Sequence, residues 1–193
     1  MPQSLIRHSS GLYIHRGAAA RDDAAMIHKV WHKDQYRIKD LPYRPNEIVV
    51  DIGAHIGVFA AAWHEKNQQA RIVCVEPQAD NALLLAKNVG QFADVVVGAC
   101  PYNDHTLKQL VESQRLPYID VLKLSCEGSE PSLLRNMTLR GFIGAIVGRF
   151  HNAHEWHDAL IAYNHWDYVE WETDQSGGLF RMTNPDYFRC GLL

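Results

Sequence analysis

Two glycines and two charged or polar residues, Asp51 and His55, lie in one short stretch, Val50-Asp51-Ile52-Gly53-Ala54-His55-Ile56-Gly57-Val58-Phe59. Glycines at 53 and 57 let the backbone take positive φ, or let a ligand come close to it. An apolar run precedes them and a helical pattern follows from about Ile56, so the stretch predicts a strand, a tight turn and a helix. In open parallel sheets ligands bind at the carboxyl ends of the strands, where the winding direction reverses. This turn is expected there. The spacing G-x-x-x-G lacks the third glycine of the dinucleotide turn, and a pyrophosphate needs a dense row of amides at a helix N-terminus. A cofactor without phosphate suits the turn better. Asp51 is placed to face an ammonium group of that cofactor, directly or through water. Nineteen residues beyond Gly57, Glu76 ends a second apolar run. A carboxylate in that place accepts both hydroxyls of a nucleoside ribose. NAD and S-adenosylmethionine both carry such a ribose, so Glu76 alone does not separate them. The plain structural alternative is a solvated acid at a strand end.

The elements that position these residues follow from the pattern of apolar runs. Short β-branched runs at 47–54, 71–77, 94–99, 119–125 and 145–150 read as strands. All but the fourth are nearly continuous in apolar residues, as expected for strands covered on both faces. Between them, 80–89, 105–114, a segment starting at Pro131 and 154–165 carry apolar residues at helical spacing. Alternation of strand and helix predicts a parallel sheet with helices on both faces. The end of the chain differs: 168–172 and 179–182 flank the turn signal Asp174-Gln175-Ser176-Gly177-Gly178, which predicts a hairpin and an antiparallel last strand. Near the N-terminus, 22–33 reads as a helix with Asp22 and Asp23 suited to its start, and 36–41 as a short connecting strand or loop.

The glycine turn, Val75-Glu76-Pro77 with Asn81 and Asn88, and the stretch Ile119-Asp120-Val121-Leu122-Lys123-Leu124-Ser125-Cys126-Glu127-Gly128-Ser129-Glu130 together resemble the FkbM-type methyltransferases over roughly residues 36–151. The resemblance implies a Rossmann-like class I methyltransferase fold, α/β, with a seven-stranded, mostly parallel sheet and an antiparallel last strand. It implies S-adenosylmethionine as cofactor and methyl transfer to a hydroxyl oxygen on a small molecule or sugar. The cofactor is then expected against Asp51, Gly53, Ala54, His55 and Gly57 of the turn, Glu76 and Pro77 after the second strand, and Ala99 and Cys100 after the third. The chain departs from the family in three places. Ser125 stands where the family has Asp in Lys-Ile-Asp-Val-Glu-Gly, Arg149 stands where a Glu is usual, and the connection between Ala99 and His105 is short. With two carboxylates replaced, the groups left for catalysis are His151, Glu127 and Ser125. Lys123 and Arg149 are assigned to the acceptor, Arg149 as a cation for an anionic one. An imidazole such as that of His151 suits proton abstraction near neutral pH. The alternative for His151 is a helix cap, and for Glu127 a carboxylate that takes backbone amides.

Composition narrows the function classes. The net charge of −3 lacks the basic excess of a nucleic-acid footprint. The longest apolar runs are strand-sized, too short to span a bilayer, and the N-terminus has no apolar signal core. Cys74, Cys100, Cys126 and Cys190 show no C-x-x-C spacing and read as buried thiols of a reducing cytoplasm. His151, His154 and His157 are of ligand type, but three positions spaced by three diverge around a helix, so no metal site is expected. The tryptophans read as packing. The expected organisation is one domain, with an N-terminal helical or lid segment at 1–45 and a cofactor-binding unit at 46–193. The expected partner is a small-molecule or sugar acceptor, with no nucleic acid and no membrane. No sequence feature speaks to oligomeric state. Two other readings stay open: a catalytically weak or inactive cofactor-binding module, favoured by Ser125 and Arg149, and a nicotinamide-dependent oxidoreductase, disfavoured by the missing glycine.

Overall fold

The structure is a computed structural model and describes residues 5–41, 43–174 and 176–189. Cys190 and Gln175 of the expected hairpin turn lie outside the described residues. The chain opens with a small antiparallel pair, β1 (Ile6–Arg7) and β2 (Tyr13–Ile14). Next comes α1 (Ala19–Ile27), which runs on as a π-helical turn at His28–His32. Then strand and helix alternate: β3 (Ile48–Ile52), α2 (Val58–Lys66), β4 (Arg71–Glu76), α3 (Ala79–Val89), β5 (Ala93–Val97), α4 (Asp104–Ser113), β6 (Ile119–Leu124), α5 (Glu130–Arg135), β7 (Ile143–His151) and α6 (Ala153–Leu160). The chain closes with β8 (Asp167–Asp174), β9 (Gly177–Thr183) and α7 (Pro185–Arg189).

Seven strands form one sheet in the order β5-β4-β3-β6-β7-β9-β8. The first five are parallel to one another, whereas β9 runs antiparallel to both β7 and β8 and lies between them. This is the doubly wound sheet with an antiparallel last strand that the sequence predicts. The winding reverses between β3 and β6, which is where a ligand crevice forms in such sheets.

Successive residues of a strand point to opposite faces, and the central strands use both. Val49, Cys74, Val121 and Val147 pack under α1, α2 and α3 with Ile27, Phe59, Trp63 and Leu85. Val50, Val73, Leu122 and Ile146 pack on the other face against Leu107, Leu133 and Trp156 of α4, α5 and α6. That double burial explains the apolar runs of β3, β4 and β7. Lys123 and Asp120 interrupt the apolar run of β6, and both are nonetheless buried. The expectation of two covered faces fails for the third run. β5 is an edge strand of half-buried and exposed residues, and Val97 is 63% exposed.

The N-terminal segment differs most from expectation. The helix begins at Ala19 rather than 22, and Asp23 is buried instead of lying free at a helix start. Residues 36–41, expected as a short strand or a loop, form a connection with a 3-10 turn at Ile38–Asp40. The pair β1–β2 has too few residues to carry a periodic signal. Its anchor is Asn88 of α3, whose amide accepts from the Tyr13 N–H at 2.7 Å and donates to the Tyr13 carbonyl at 3.0 Å. The same amide donates to the Ile56 carbonyl at 2.8 Å, so one side chain ties the N-terminal segment to the glycine turn. Asn88→Ala removes partners from three backbone groups and is expected to destabilise the fold by about 1–3 kcal/mol. Urea unfolding checks the loss, and limited proteolysis should show faster cleavage before residue 45.

Candidate functional site

The turn after β3 is built by backbone hydrogen bonds. The N–H groups of Gly53 and Ala54 both donate to the Val75 carbonyl of β4 at 3.0 Å, and Gly57 N–H closes the turn on the Ala54 carbonyl at 2.9 Å. Gly53 has φ +75°, and a Cβ there would stand 2.0 Å from the Ser125 carbonyl oxygen at the end of β6. Its glycine is required by the neighbouring strand before any ligand is considered. Gly57, at φ +89°, is the N-cap of α2, and a Cβ there would press on Leu85 and Val89 of α3. Gly57 is buried and does not line the cleft, so its role is helix packing rather than the cofactor contact expected of it.

Beneath the turn, Asp51 of β3 and Lys123 of β6 form an ion pair at 2.8 Å, with side chains 0% and 5% exposed. The Lys123 ammonium also donates to the Gly53 carbonyl at 2.7 Å. Burial works against the charged lysine, but Asp51 outweighs it and holds the ammonium above its ordinary value. Burial likewise pushes the Asp51 carboxyl up, against the pull of Lys123. Asp51 therefore does not face a ligand ammonium as expected, because its carboxylate is committed to Lys123 below the turn. For the same reason Lys123, although it borders the cleft, has its donors directed at the turn and not at an acceptor.

Above the turn lies a cleft of about 290 Å³ at the carboxyl ends of β3, β4 and β6. Met26, Val30 and Tyr36 of the N-terminal segment, with Val58 and Phe59 of α2, make its apolar wall. Gly53, Ala54 and His55 make the floor. Glu76, Pro77, Gln78 and Asn81 line one end, and Cys100, Ser125, Cys126 and Glu127 the other. Glu76 is only 4% exposed. Its Oε2 accepts from His55 N–H at 2.8 Å, and its Oε1 accepts from Gln78 N–H at 3.0 Å and Asn81 Nδ2 at 3.1 Å. These donors fix the carboxylate in place, and the acceptor sites left on it border the cleft.

His55 has φ +53° and reaches toward the N-terminal segment, where its Nε2 is 3.6 Å from Asp23. Burial lowers its pKa, with Asp23 opposing. Asp23 also accepts from the backbone N–H of His15 at 2.7 Å and pairs with the His15 ring at 2.9 Å. Sequence reasoning missed Asp23 and His15 because they are more than thirty residues before the turn they touch. It also missed Cys126 as a wall residue and the apolar lining from α1 and Tyr36. No short motif carries these contacts.

Of the residues assigned to catalysis, Ser125 and Glu127 line the cleft, Glu127 exposed at φ +52°. His151 does not line it. The ring sits at the end of β7 with Nδ1 3.5 Å from Glu130, which is buried and takes the N–H groups of Cys126 at 2.6 Å and Gly128 at 2.9 Å. Arg149 is exposed on β7 and is not part of the cleft wall, which removes the basis for its expected acceptor contact. Ala99 is exposed and also outside the wall, whereas Cys100 is in it. The thiols of Cys100 and Cys126 are half-buried, so only Cys74 among the described cysteines fits the buried reading. Among the described residues, no three His, Cys, Asp or Glu side chains are placed to hold a metal ion, and no helix is long and apolar enough to cross a membrane.

No family model and no curated protein matches the chain by sequence. Solved structures match by shape. The S-adenosylhomocysteine complex of TrmK from M. capricolum aligns with TM-score 0.56 at 12% identity, over 80% of this chain and 68% of its own. A candidate O-methyltransferase from Klebsiella pneumoniae aligns with TM-score 0.52 at 15% identity, over 92% and 86%. Precorrin-6y C5,15-methyltransferase from Geobacter metallireducens aligns with TM-score 0.51 at 13% identity, over 86% and 88%. Identity this low speaks for the fold alone, which is the Rossmann-like fold of the class I methyltransferases.

The geometry at Gly53 makes any side chain there a cost to the fold as well as to a ligand. Even Gly53→Ala must displace the Ser125 carbonyl and hold a positive φ. The expected cost is roughly 2–4 kcal/mol. Thermal unfolding followed by circular dichroism checks it, and a melting point equal to wild type would contradict the reading.

Proposed function

We propose that the chain is an S-adenosylmethionine-dependent methyltransferase that methylates a hydroxyl group on a small molecule or sugar. The observation that carries this reading is Glu76. It is a carboxylate oriented by three N–H donors at the end of β4, beside the glycine turn and facing the cleft at the reversal of the sheet. That arrangement suits the two ribose hydroxyls of a nucleoside. The apolar wall of Met26, Val30 and Phe59 suits the uncharged parts of such a ligand. The neighbouring structure with bound S-adenosylhomocysteine supports the choice of cofactor.

When bound, S-adenosylmethionine supplies a methyl group activated by its sulfonium centre for in-line displacement. The chain must hold the acceptor hydroxyl in line and take its proton. Glu127 is the carboxylate in the cleft wall that is not already engaged as Glu76 is, and it is the proposed base. The Ser125 hydroxyl, next to it in the wall, orients the acceptor. His151 is not assigned a role in the reaction, because its ring is turned to Glu130. The acidic net charge supports an acceptor other than nucleic acid. The second reading, a cofactor-binding module with little activity, is favoured by the same inventory, since a single exposed carboxylate is thin equipment for general-base catalysis.

Calorimetry with S-adenosylhomocysteine tests cofactor binding. Glu76→Ala is expected to weaken it roughly tenfold or more, the scale of a charged hydrogen bond. Equal affinity would refute the ribose assignment, and binding of NADH instead would point to an oxidoreductase. Single-turnover methyl transfer at saturating cofactor tests the base. Glu127→Gln should slow it by about 10²–10⁴ while S-adenosylhomocysteine affinity holds. Tight cofactor binding with no turnover across a broad panel of hydroxyl acceptors would favour the binding module.

A further inference from the structure

The N-terminal segment meets the glycine turn through a cluster to which the cofactor reading gives no task. Asp23 of α1 is 1% exposed. Its Oδ2 accepts from the His15 backbone N–H at 2.7 Å and stands 2.9 Å from His15 Nδ1. Its Oδ1 stands 3.6 Å from Nε2 of His55 in the turn. The two imidazoles are 6.3 Å apart between ring centres. One buried carboxylate thus faces two titratable rings from two different segments. Asp23, Met26, Ile27 and Val30 recur at the spacing of one helical face, and Asp23, Ile27 and Val30 are buried. Met26 and Val30 of that face belong to the apolar wall of the cleft. Whatever lifts Asp23 off the turn lifts that wall with it.

We propose that Asp23, His15 and His55 are a proton-operated clasp. It holds α1 down on the glycine turn while at most one ring is charged and releases it when both are, so that acid opens the cleft wall and weakens nucleoside binding. The part of this inference that concerns the ligand rests on the proposed cofactor site; the clasp itself does not.

Charge and hydrogen bonding set the direction. One carboxylate neutralises one imidazolium. A second leaves a net positive charge in a largely buried cluster, and the two rings then repel. His55 adds a penalty of its own. Its Nε2 faces Asp23, and its Nδ1 is buried with no hydrogen-bond partner among the described residues. In the neutral ring with its proton on Nε2, Nδ1 carries only a lone pair. In the charged ring it must carry an N–H, and a buried donor without an acceptor disfavours the closed form. Besides Asp23 and His15, the charged groups acting on His55 are Glu76 at the end of β4, Lys123 of β6 and Asp51 of β3. Burial outweighs the pull of Asp23 and Glu76 and holds the His55 pKa below its ordinary value of 6.5. A ring that takes its proton less readily in the closed form than in the open one favours opening when it is protonated. The closed form is therefore fully favoured above the ordinary histidine value and loses that advantage as pH falls below it.

The test follows amide hydrogen exchange of the full chain, without ligand, at about pH 7.5 and about pH 5, either side of the histidine range. Each peptide's protection is corrected for the intrinsic exchange rate at that pH. The peptide carrying α1 is expected to lose protection roughly fivefold or more on acidification, while β3 and β6 hold theirs. Unchanged protection of α1 in the wild type overturns the clasp, and so does an equal loss in β3 and β6, which is general acid unfolding. His55→Asn tolerates the positive φ of that position and removes the second ring, so the loss at α1 should vanish. A loss that persists in this variant, with β3 and β6 still protected, overturns the role of His55. Calorimetry with S-adenosylhomocysteine at the same two pH values should show wild-type affinity falling by the factor that α1 loses. Opening of α1 with unchanged affinity overturns the effect on the ligand. If S-adenosylhomocysteine binds at neither pH, the cofactor reading falls, and the exchange data still decide whether the clasp exists.

Discussion

Lys123 reaches from β6 to Asp51 on β3, and the pair is shut off from water directly under the turn that makes the floor of the cleft. Two charges in such a place cost much to desolvate, and replacing a buried pair with apolar groups is often no loss in stability. What the pair does here is geometric. The same ammonium that meets Asp51 takes the Gly53 carbonyl at 2.7 Å, so the turn is held from below by a side chain of the adjacent strand. Removing either partner would leave an unpaired buried charge, which typically costs about 3–5 kcal/mol. The cleft floor, the approach of β3 to β6 and the absence of a side chain at Gly53 are thus one constraint. The Ser125 carbonyl fills the space that a Cβ would need.

The rest of the cleft is added to that floor by long-range ties. Glu76 is fixed by donors from the turn and from α3. Asp23 gathers the backbone and ring of His15 and the ring of His55, and Asn88 binds the backbone at Tyr13 and Ile56. These contacts place Met26, Val30 and Tyr36 over the turn as an apolar wall. The N-terminal segment is therefore part of the cleft. Its attachment runs through polar groups that are themselves largely buried, where unmatched partners would be costly. Buried apolar residues of the segment, among them Leu12, Ile14, Ile27 and Ile38, join the same core cluster as Phe59 and Leu85 and hold the closed side as well.

The sheet was legible in the sequence because burial on both faces writes itself as uninterrupted apolar runs, and β3, β4 and β7 are such runs. The hairpin signal around Gly177 likewise forecast the antiparallel β9, since a tight turn between strands allows no other direction. Gly53 and Glu76 could be found because backbone conformation and charge at a strand end are local properties. Which way a side chain faces was not legible. Asp51 and Lys123 have the residue types of ligand contacts, but the register that sets Asp51 opposite Lys123 spends both on each other. His151 and Arg149 stand near the right edge in sequence, yet one turns to Glu130 and the other to solvent. Asp23 meets His55 only because α1 packs back over the turn. Periodicity and turn chemistry act over a few residues and are written in the chain. The pairing of side chains from distant segments depends on how the layers pack, and the tertiary structure alone decided it.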